Sequence, residues 1–498
     1  MILCASGIVF AQTPGGALPP AIASAGVTQA EWTAIRTEVS RQAHRANVSE
    51  AALLAAAEAA GANLARSGHF DALALEQTIF EQLAQQADQI AELQHRLDTL
   101  TGDADPQIAR IYADARTALN DGRLTDADRL LAQASEHDLV LLQHADAEVA
   151  QRRLRAGDTI AARGQVAYIQ ADYSAAAGFF GRAADTVPQS AIQLRWRYVW
   201  YQASMFAQRA QLFGEPEASN EALRLYHDVA LPLAPREARA TDWAKTQNDM
   251  GVALRVLGEH GNNQALYDSV AALRAALTVW TRANDPADWA SAQNNLGGAL
   301  LRLGERGDDR ALHDAIAALR AALTVWTRAR DPADWALAEG NLGAALETLG
   351  ERGDIQALHD SIAAYRAALE VNTRESAPED WARDQTRLGN ALRVLGERGD
   401  PNALHEAVSA YRAALEVDTR ARAPASWATH QGNLGTALEA LGERGDNQAL
   451  HDAVDAYRAA LEVNTRESAP EDWARDQTRL GNALRVLGER GDPNALHE

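Results

Sequence analysis

Residues 335–380 read WALAEGNLGAALETLGERGDIQALHDSIAAYRAALEVNTRESAPED, and the chain repeats this sequence with few changes. A tryptophan opens each copy and recurs every 46 residues, at Trp243, Trp289, Trp335, Trp381, Trp427 and Trp473. Residues 364–406 and 456–498 are identical, which indicates a recent duplication of a two-copy unit. Self-similarity at a fixed period of this length predicts an elongated array of supersecondary units rather than several independent domains.

The first half of each copy has the pattern of an amphipathic helix. Pro332 and Asp334 stand beside the tryptophan, and helices favour both residue types in their first turn. Leu342, Leu346 and Leu349 continue an apolar stripe at spacings of four and three, which is the helical period. A second apolar stripe of the same period follows and ends at a proline. Each copy therefore predicts two consecutive helices.

The pentapeptide GERGD lies between the two predicted helices, at 304–308, 350–354, 396–400, 442–446 and 488–492. It contains Arg-Gly-Asp, the tripeptide that cell-adhesion receptors recognise. It also has the composition of a turn: we expect Gly350 to end one helix, Gly353 to allow the reversal and Asp354 to cap the next helix. The first copy reads GEHGN at residues 258–262, which preserves a turn but loses the tripeptide. We therefore favour the turn over the adhesion ligand.

Three features of the copies resemble the tetratricopeptide repeat. The first helix carries a Leu-Gly pair, at Leu296-Gly297, Leu342-Gly343, Leu388-Gly389 and Leu434-Gly435. The second helix carries a small–aromatic–small triplet, at Ser361-Tyr365-Ala368, Ala407-Tyr411-Ala414 and Ala453-Tyr457-Ala460. A proline closes the unit, at Pro378, Pro424 and Pro470. The resemblance implies an all-α, right-handed superhelical solenoid of antiparallel helix hairpins.

The resemblance extends over residues 108–498. A copy with the usual 34-residue spacing lies at 157–190 and a weaker one at 108–137, so we interpret 102–240 as divergent repeats and 241–498 as the tandem array. The array copies are longer than is usual, and we expect the extra residues around GERGD and after the second helix. Their sequence pattern is similar to that of long repeat arrays found in bacterial proteins.

The resemblance also implies a binding surface. In tetratricopeptide repeats the first helices line the concave side, and Asn or Arg beside the Leu-Gly pair holds extended peptides. An amide offers both a donor and an acceptor to a peptide bond, and arginine can bind a carboxylate with two hydrogen bonds. The alternative for each residue is a solvated helix face. The candidates are Asn295, Asn341, Arg387, Asn390, Asn433, Arg479 and Asn482.

Upstream of the repeats, residues 75–101 show heptad spacing of Ile79, Leu83, Ile90, Leu93, Leu97 and Leu100, with Gln86 as the polar member. Three heptads are marginal for an independent coiled coil, so two interpretations stand side by side. The helix either associates with a second copy of the chain or packs on its own chain. Residues 12–74 are expected to be disordered at first and helical later.

Residues 1–11 form an apolar run that ends in Val9-Phe10-Ala11, similar to a signal-peptidase site but without the basic start of a signal peptide. A genuine signal predicts export to a periplasmic location, and the alternative is a frayed N-terminus of a cytoplasmic protein. The single cysteine, Cys4, lies in this run. At the other end the sequence stops inside a repeat, so we expect a truncated array and leave open a further effector domain.

Composition restricts the function. A net charge of −21 and a pI near 5.1 disfavour nucleic acid and anionic membrane surfaces, because both need clustered Lys and Arg. No stretch has the length and hydropathy of a membrane span. Histidines recur once per period, at His313, His359, His405, His451 and His497, but a single imidazole per repeat is a poor metal site. The carboxylates repeat as well, whereas a catalytic pair must be singular. We expect no metal, no cofactor and no enzyme activity.

These inferences combine into one hypothesis. The array is a scaffold that binds a segment of a partner protein in its groove, and its acidity favours a basic or amphipathic partner. The tryptophans are expected to pack between repeats rather than to form an aromatic binding ladder. Two alternatives stay open: a sensor arm of a truncated signalling protein, and a structural protein that associates end to end.

Overall fold

The computed structural model describes residues 18–24, 27–67, 72–103, 106–142, 149–492 and 495, and these residues form helices joined by turns. Contacts divide the chain into two compact units, with the boundary between Pro188 and Gln189. The predicted leader at 1–11 lies outside the described residues. Within them, no helix is long and apolar enough to cross a membrane.

The first unit is built from helix pairs. Its helices are α1 (Pro20–Ser24), α2 (Gln29–Ala46), α3 (Glu50–Ser67), α4 (Ala72–Asp103), α5 (Pro106–Asn120), α6 (Leu124–Leu142), α7 (Val149–Ile169) and α8 (Tyr173–Thr186). The pairs α5/α6 and α7/α8 are the two divergent repeats that the sequence predicts. In the second pair, a Cβ at Gly164 would lie 2.9 Å from the Phe180 ring, so a glycine is needed where these helices touch.

The heptad stripe faces the interior of the first unit. Helix α4 packs against α2, α3, α5 and α7. All seven stripe residues, including the polar Gln86, are buried. The Gln86 side chain donates to the carbonyl of Ile169 at 3.0 Å, which gives the polar member an intrachain partner. Of the two interpretations of this stripe, packing on its own chain is the one observed, and the stripe is not available for a coiled coil.

The second unit contains the array and the divergent hairpin before it. Its first elements are α9 (Ile192–Phe213), α10 (Pro216–Arg224), a π-helical segment (Leu225–Ala230) and α11 (Leu231–Leu233). The array's first helices, here called A helices, are α12 (Ala240–Glu259), α14 (Pro286–Glu305), α16 (Pro332–Glu351), α18 (Pro378–Glu397), α20 (Pro424–Glu443) and α22 (Pro470–Glu489). Its second helices, here called B helices, are α13 (Asn263–Ala276), α15 (Asp309–Ala322), α17 (Ile355–Leu369), α19 (Pro401–Leu415) and α21 (Asn447–Leu461).

Each A helix pairs with the B helix that follows it, and each B helix also packs on the next A helix. The aspartate of GERGD caps the B helix as predicted: Asp354 Oδ1 accepts a hydrogen bond from the backbone N–H of Ala357 at 3.0 Å. A cap of this kind stabilises a helix by about 1 kcal/mol. The chain is thus an all-α, tetratricopeptide-like solenoid, and the right hand of its superhelix stays a prediction.

Of the two glycines of GERGD, Gly353 behaves as expected and Gly350 does not. The structure places Gly350 inside α16, where a Cβ would lie 2.5 Å from the Leu358 side chain, so it allows close packing of the hairpin rather than ending the helix. Gly353 has a φ of +119° and makes the reversal. Only residues 352–354 separate α16 from α17. The expectation of extra residues between the helices was wrong, because they lengthen the A helix to 20 residues.

The glycine of each Leu-Gly pair receives the large residue of the B helix. A Cβ at Gly343 would lie 2.6 Å from the ring of Tyr365, and Gly389 and Gly435 meet Tyr411 and Tyr457 in the same way. These rings are fully buried. The glycine of the Leu-Gly pair therefore lets the two helices of a hairpin approach closely at one point.

The tryptophans that recur every 46 residues pack between successive repeats. Trp289 and Trp243 contact a cluster formed by Trp280 and the alanines of neighbouring helices. Trp335 and Trp381 occupy the corresponding places one and two repeats later. Their rings are half-buried against helices of two repeats, which agrees with packing between repeats.

The arginine of GERGD joins repeats in a second way. Its guanidinium donates to a main-chain carbonyl at the end of the preceding A helix: Arg398 to Glu351 at 2.7 Å, and Arg444 to Gly396 at 2.6 Å. Arg306, Arg352 and Arg490 make the corresponding bond. Helix C-termini expose unpaired carbonyls and favour cations. The arginine of every Arg-Gly-Asp copy is therefore engaged by the chain itself.

Candidate functional site

The seven candidate residues lie on consecutive A helices at two positions three residues apart, which is the spacing of one helix face. We call them the A-helix row; they are Asn295, Asn341, Arg387, Asn390, Asn433, Arg479 and Asn482. The frame around them is constant, with tryptophan, Leu-Gly and GERGD at fixed places, while the row itself changes from Asn to Arg. A surface that varies on an invariant frame is where recognition can differ between repeats.

The first two members of the row form a ladder between repeats. Asn295 Nδ2 donates to Asn248 Oδ1 at 3.1 Å, and Asn341 Nδ2 donates to Asn294 Oδ1 at 3.0 Å. Each acceptor stands one place before the row on the preceding A helix. Each amide uses one N–H in this bond, and its carbonyl oxygen makes no hydrogen bond within the described residues. Both asparagines therefore have a structural bond and spare capacity for a ligand.

The arginines of the row lie over glycines of the preceding A helix. A Cβ at Gly340 would be 3.3 Å from Nη1 of Arg387, and one at Gly432 would be 4.0 Å from Nη1 of Arg479. Arg387 also stands 3.9 Å from the buried carboxylate of Asp384, whose pKa burial raises. Glycine at these places leaves room for the guanidinium, which stays about one-third exposed at Arg387.

The remaining row members differ in how they are held. Asn390 Oδ1 accepts from the hydroxyl of the buried Tyr411 at 2.7 Å, so its amide is tied to its own hairpin. Asn433 is half-buried and makes no side-chain hydrogen bond within the described residues, so it offers a complete amide to a ligand. Asn482 is exposed and repeats the place of Asn390, whose partner Tyr411 lies 21 residues further along the chain.

A row of alternating charge runs beside these amides, one turn further along each A helix. The position holds Glu347, Arg393, Glu439 and Arg485 in successive repeats. Tyr365 donates to Glu347 at 2.6 Å, and burial raises the pKa of Glu347 to about 7. Burial likewise raises the pKa of Glu439. Sequence reasoning missed this row, although the alternation is visible at a fixed place after the last four Leu-Gly pairs.

A buried polar pair joins the loop after some B helices to the next A helix. His430 Nε2 lies 2.7 Å from Asp418 Oδ2, and Asn372 and Asn464 donate to Asp384 and Asp476 in the neighbouring repeats. The same places hold Trp280 with Ala292, and Trp326 with Ala338, where the pair is apolar and buried. A large residue facing alanine is thus exchanged for two polar residues facing each other. That exchange, always twelve residues apart, could have been detected in the sequence.

The pair around His430 has the composition of a hydrolytic triad but not its arrangement. Thr386 Oγ1 lies 3.2 Å from His430 Nδ1, yet it also donates to the Ala382 carbonyl at 2.9 Å. A hydroxyl whose O–H donates a hydrogen bond to a main-chain carbonyl is not oriented to pass its proton to the imidazole. We interpret the group as a polar link between repeats.

The recurring histidines are surface residues of the B helices. His313, His359, His405 and His451 are exposed, and His497 lies outside the described residues. His451 approaches Asp492 of the next turn at 3.8 Å. Within the described ranges, no three His, Cys, Asp or Glu side chains are grouped as metal ligands.

Comparison with known proteins shows likeness in fold only. No family model and no curated protein matches the chain. Among solved structures, it is similar to a Rap protein complexed with competence and sporulation factor, at 14% identity over 77% of this chain and 99% of that one, with a TM-score of 0.37. It is similar to the P58(IPK) TPR domain, at 14% identity over 78% and 99%, TM-score 0.23. A circular tandem repeat protein gives 16% identity over 81% and 97%, TM-score 0.26. The assignment as a tetratricopeptide-like helical repeat protein rests on the hairpins themselves.

Proposed function

We propose that the array is a protein–protein interaction scaffold that binds an extended segment of a partner protein along the A-helix row. The observation that carries the proposal is the spare amide capacity of the row. Asn433 has unused donors and acceptors, and Asn295 and Asn341 have unused carbonyl oxygens. A main chain in extended conformation needs both kinds of group, and asparagine supplies both.

The spacing of the row suits a long ligand. The places before and after the Leu-Gly pair lie on the same face of an A helix, and the pattern advances by one helix per repeat. An extended peptide that follows several repeats can therefore be held by one amide in each, with an arginine beside it in the repeats of Arg387 and Arg479. Contacts distributed in this way give an affinity that grows with the number of repeats engaged.

Charge near the row favours a ligand with charges of both signs. Arg387 and Arg479 stand in the row, while Glu347 and Glu439 alternate with Arg393 and Arg485 beside it. The net charge of −21 attracts basic segments over longer distances. We assign no catalytic step to this surface.

The test uses the full chain as bait for a library of displayed random dodecapeptides. Enriched peptides are then synthesised, and their affinities are measured by fluorescence anisotropy on the wild-type chain and on the Asn433→Ala variant. Because the Asn433 side chain makes no hydrogen bond within the described residues, the variant should keep the wild-type melting temperature. We expect its affinity to fall by about tenfold, as expected for the loss of one or two net hydrogen bonds.

Asn341→Ala/Asn390→Ala is the matched comparison, because these two amides are bonded within the chain. It should lose both affinity and some thermal stability. Enriched peptides that bind the Asn433→Ala variant with wild-type affinity would show that the row is a solvated helix face and would refute the proposal.

A further inference from the structure

A cavity of about 470 Å³ opens in the divergent hairpin's contact with the first repeat of the array. Its walls are apolar, formed by Leu223, Met250, Leu254 and alanines of α13. Its polar groups are His227, Gln247 and Asp268. Ligand sites commonly have volumes of about 300–1,000 Å³ and combine apolar walls with a few polar groups. This cavity lies away from the A-helix row.

Later repeats show what chemistry the corresponding place accepts. In the first four B helices an arginine follows the buried residue that meets the glycine of the preceding A helix, and it reaches a carboxylate forty residues further on. The four ion pairs are Arg274 with Asp314 at 2.9 Å, Arg320 with Asp360 at 3.5 Å, Arg366 with Glu406, and Arg412 with Asp452 at 3.5 Å. In these four repeats an arginine side chain thus lies beside the acid, with both partners partly exposed.

The divergent hairpin lacks the arginine but the array keeps its acid. The residue after the buried Tyr226 is His227, which pairs with its neighbour Asp228 at 2.7 Å. Asp268 takes the place of Asp314 one repeat earlier. Its only side-chain bond within the described residues is with Gln264, at 2.9 Å. Asp360, by contrast, has both the glutamine and the arginine.

The local backbone contributes to the opening. Residues 225–230 form a π-helical segment, whereas the B helices of the array are α-helical throughout. Single turns of π-helix are often found at functional sites. In this hairpin the irregular turn carries His227, which lines the cavity.

We propose that this cavity binds an arginine side chain of a partner protein. The guanidinium pairs with Asp268, and the aliphatic stem lies against Leu223 and Met250, as arginine stems do on apolar surfaces. Arginine is favoured over lysine because its planar fork can donate two parallel hydrogen bonds to one carboxylate. The ligand supplies the cation that four repeats of the array place beside the corresponding acid.

The test uses a fluorescein-labelled hexapeptide with the sequence of residues 272–277, ALRAAL, in which the array itself presents an arginine. A second peptide carries citrulline, which keeps the shape and loses the charge. With the full chain, we expect saturable binding of the arginine peptide in fluorescence anisotropy. Affinity should fall by about tenfold or more for the citrulline peptide and for the Asp268→Asn variant, because each loses a charge-assisted pair.

His227→Arg supplies the missing arginine from within the chain and should abolish binding of the arginine peptide. Asp360→Asn is the control, since it makes the same change at an acid that is already paired, and binding should not change. Asn433→Ala should also leave it unchanged, which separates this site from the A-helix row. Circular dichroism checks that each variant folds.

Three results would overturn the proposal. The arginine and citrulline peptides would bind equally, or a folded His227→Arg variant would bind the arginine peptide as the wild type does. The third is binding of free agmatine without binding of the peptide, which would assign the cavity to a small cationic metabolite instead of a partner protein.

Discussion

Replacing Arg444 by alanine removes one of the bonds that join neighbouring repeats. The guanidinium donates to the carbonyls of Gly396 at 2.6 Å and Glu397 at 3.3 Å, the last residues of α18. A hydrogen bond to a charged group contributes about 1.5–3 kcal/mol, and a cation at a helix C-terminus about 0.3–1 kcal/mol. Because Arg444 lies at the surface, we expect the lower part of this range, a loss of about 1–2 kcal/mol.

The measurement is urea unfolding of the full chain at pH 7, followed by circular dichroism and by tryptophan fluorescence. Arg420→Ala is the matched control. Arg420 is an arginine of the same array that bonds the carboxylate of Glu462, with both side chains about half exposed. Surface ion pairs of that kind contribute about 0–1 kcal/mol, so its unfolding midpoint should move little. Since stability in repeat arrays includes a term for each interface, the Arg444 variant should also unfold less cooperatively.

The Arg444→Lys variant separates charge from geometry. Lysine keeps the cation but not the planar fork, so we expect a loss between those of the wild type and the alanine variant. Equal unfolding midpoints for Arg444→Ala and Arg420→Ala would refute the reasoning. GERGD would then be a turn and a cap without a role in joining repeats.

Two further perturbations follow from contacts in the third repeat. Gly343→Ala puts a methyl group 2.6 Å from the Tyr365 ring and should destabilise the chain by about 1–3 kcal/mol in thermal unfolding. Gly298→Ala puts a methyl group 3.8 Å from its nearest neighbour and should stabilise the chain by about 0.5–1 kcal/mol. Equal effects of the two substitutions would refute the packing role of the Leu-Gly pair. Glu347 has a pKa of about 7 in the folded protein, against an ordinary value of 4.5. Between these two pH values the folded protein holds a proton on Glu347 that the unfolded protein has lost. The free energy of unfolding therefore falls as pH rises from 4.5 to 7. Glu347→Gln should remove up to about 3 kcal/mol of that fall, measured as the difference between the stability–pH curves of the variant and the wild type, and parallel curves would contradict the raised pKa.

The repeat period, the hairpins and the caps could all be predicted because they depend on local chemistry. Asp354 caps the helix that begins beside it, and Gly343 meets a tyrosine twenty-two residues away in the same hairpin. Both residues of such a contact belong to one copy, and the fixed period of 46 residues predicts that every copy packs in the same way.

Contacts between repeats could not be predicted in the same way. Arg444 reaches a carbonyl 48 residues earlier, and that distance becomes short only when A helices stack side by side. The role of Gly350 was misjudged for a related reason, since glycine ends many helices but here it receives Leu358. The heptad stripe of α4 was ambiguous because its spacing records burial without recording which chain covers it.

The residues of the A-helix row lie on the first helix of each repeat, as the sequence predicted. They differ in the hydrogen bonds that they make within the chain. Asn341 and Asn390 are tied by bonds to Asn294 and Tyr411 that depend on stacking and on the hairpin. Asn433 makes no such bond within the described residues. The choice of which amide to test therefore came from the structure and not from the sequence.

Site-specific photo-crosslinking locates a bound peptide on the array. A photoreactive amino acid replaces Thr436, three residues after Asn433 on the same A helix, and, in a second variant, Asp455, whose side chain is 79% exposed on the B helix of the same repeat. A peptide selected on the wild-type chain is added to each. We expect capture of the peptide from position 436 and not from position 455, whereas capture from position 455 alone would contradict binding along the A-helix row.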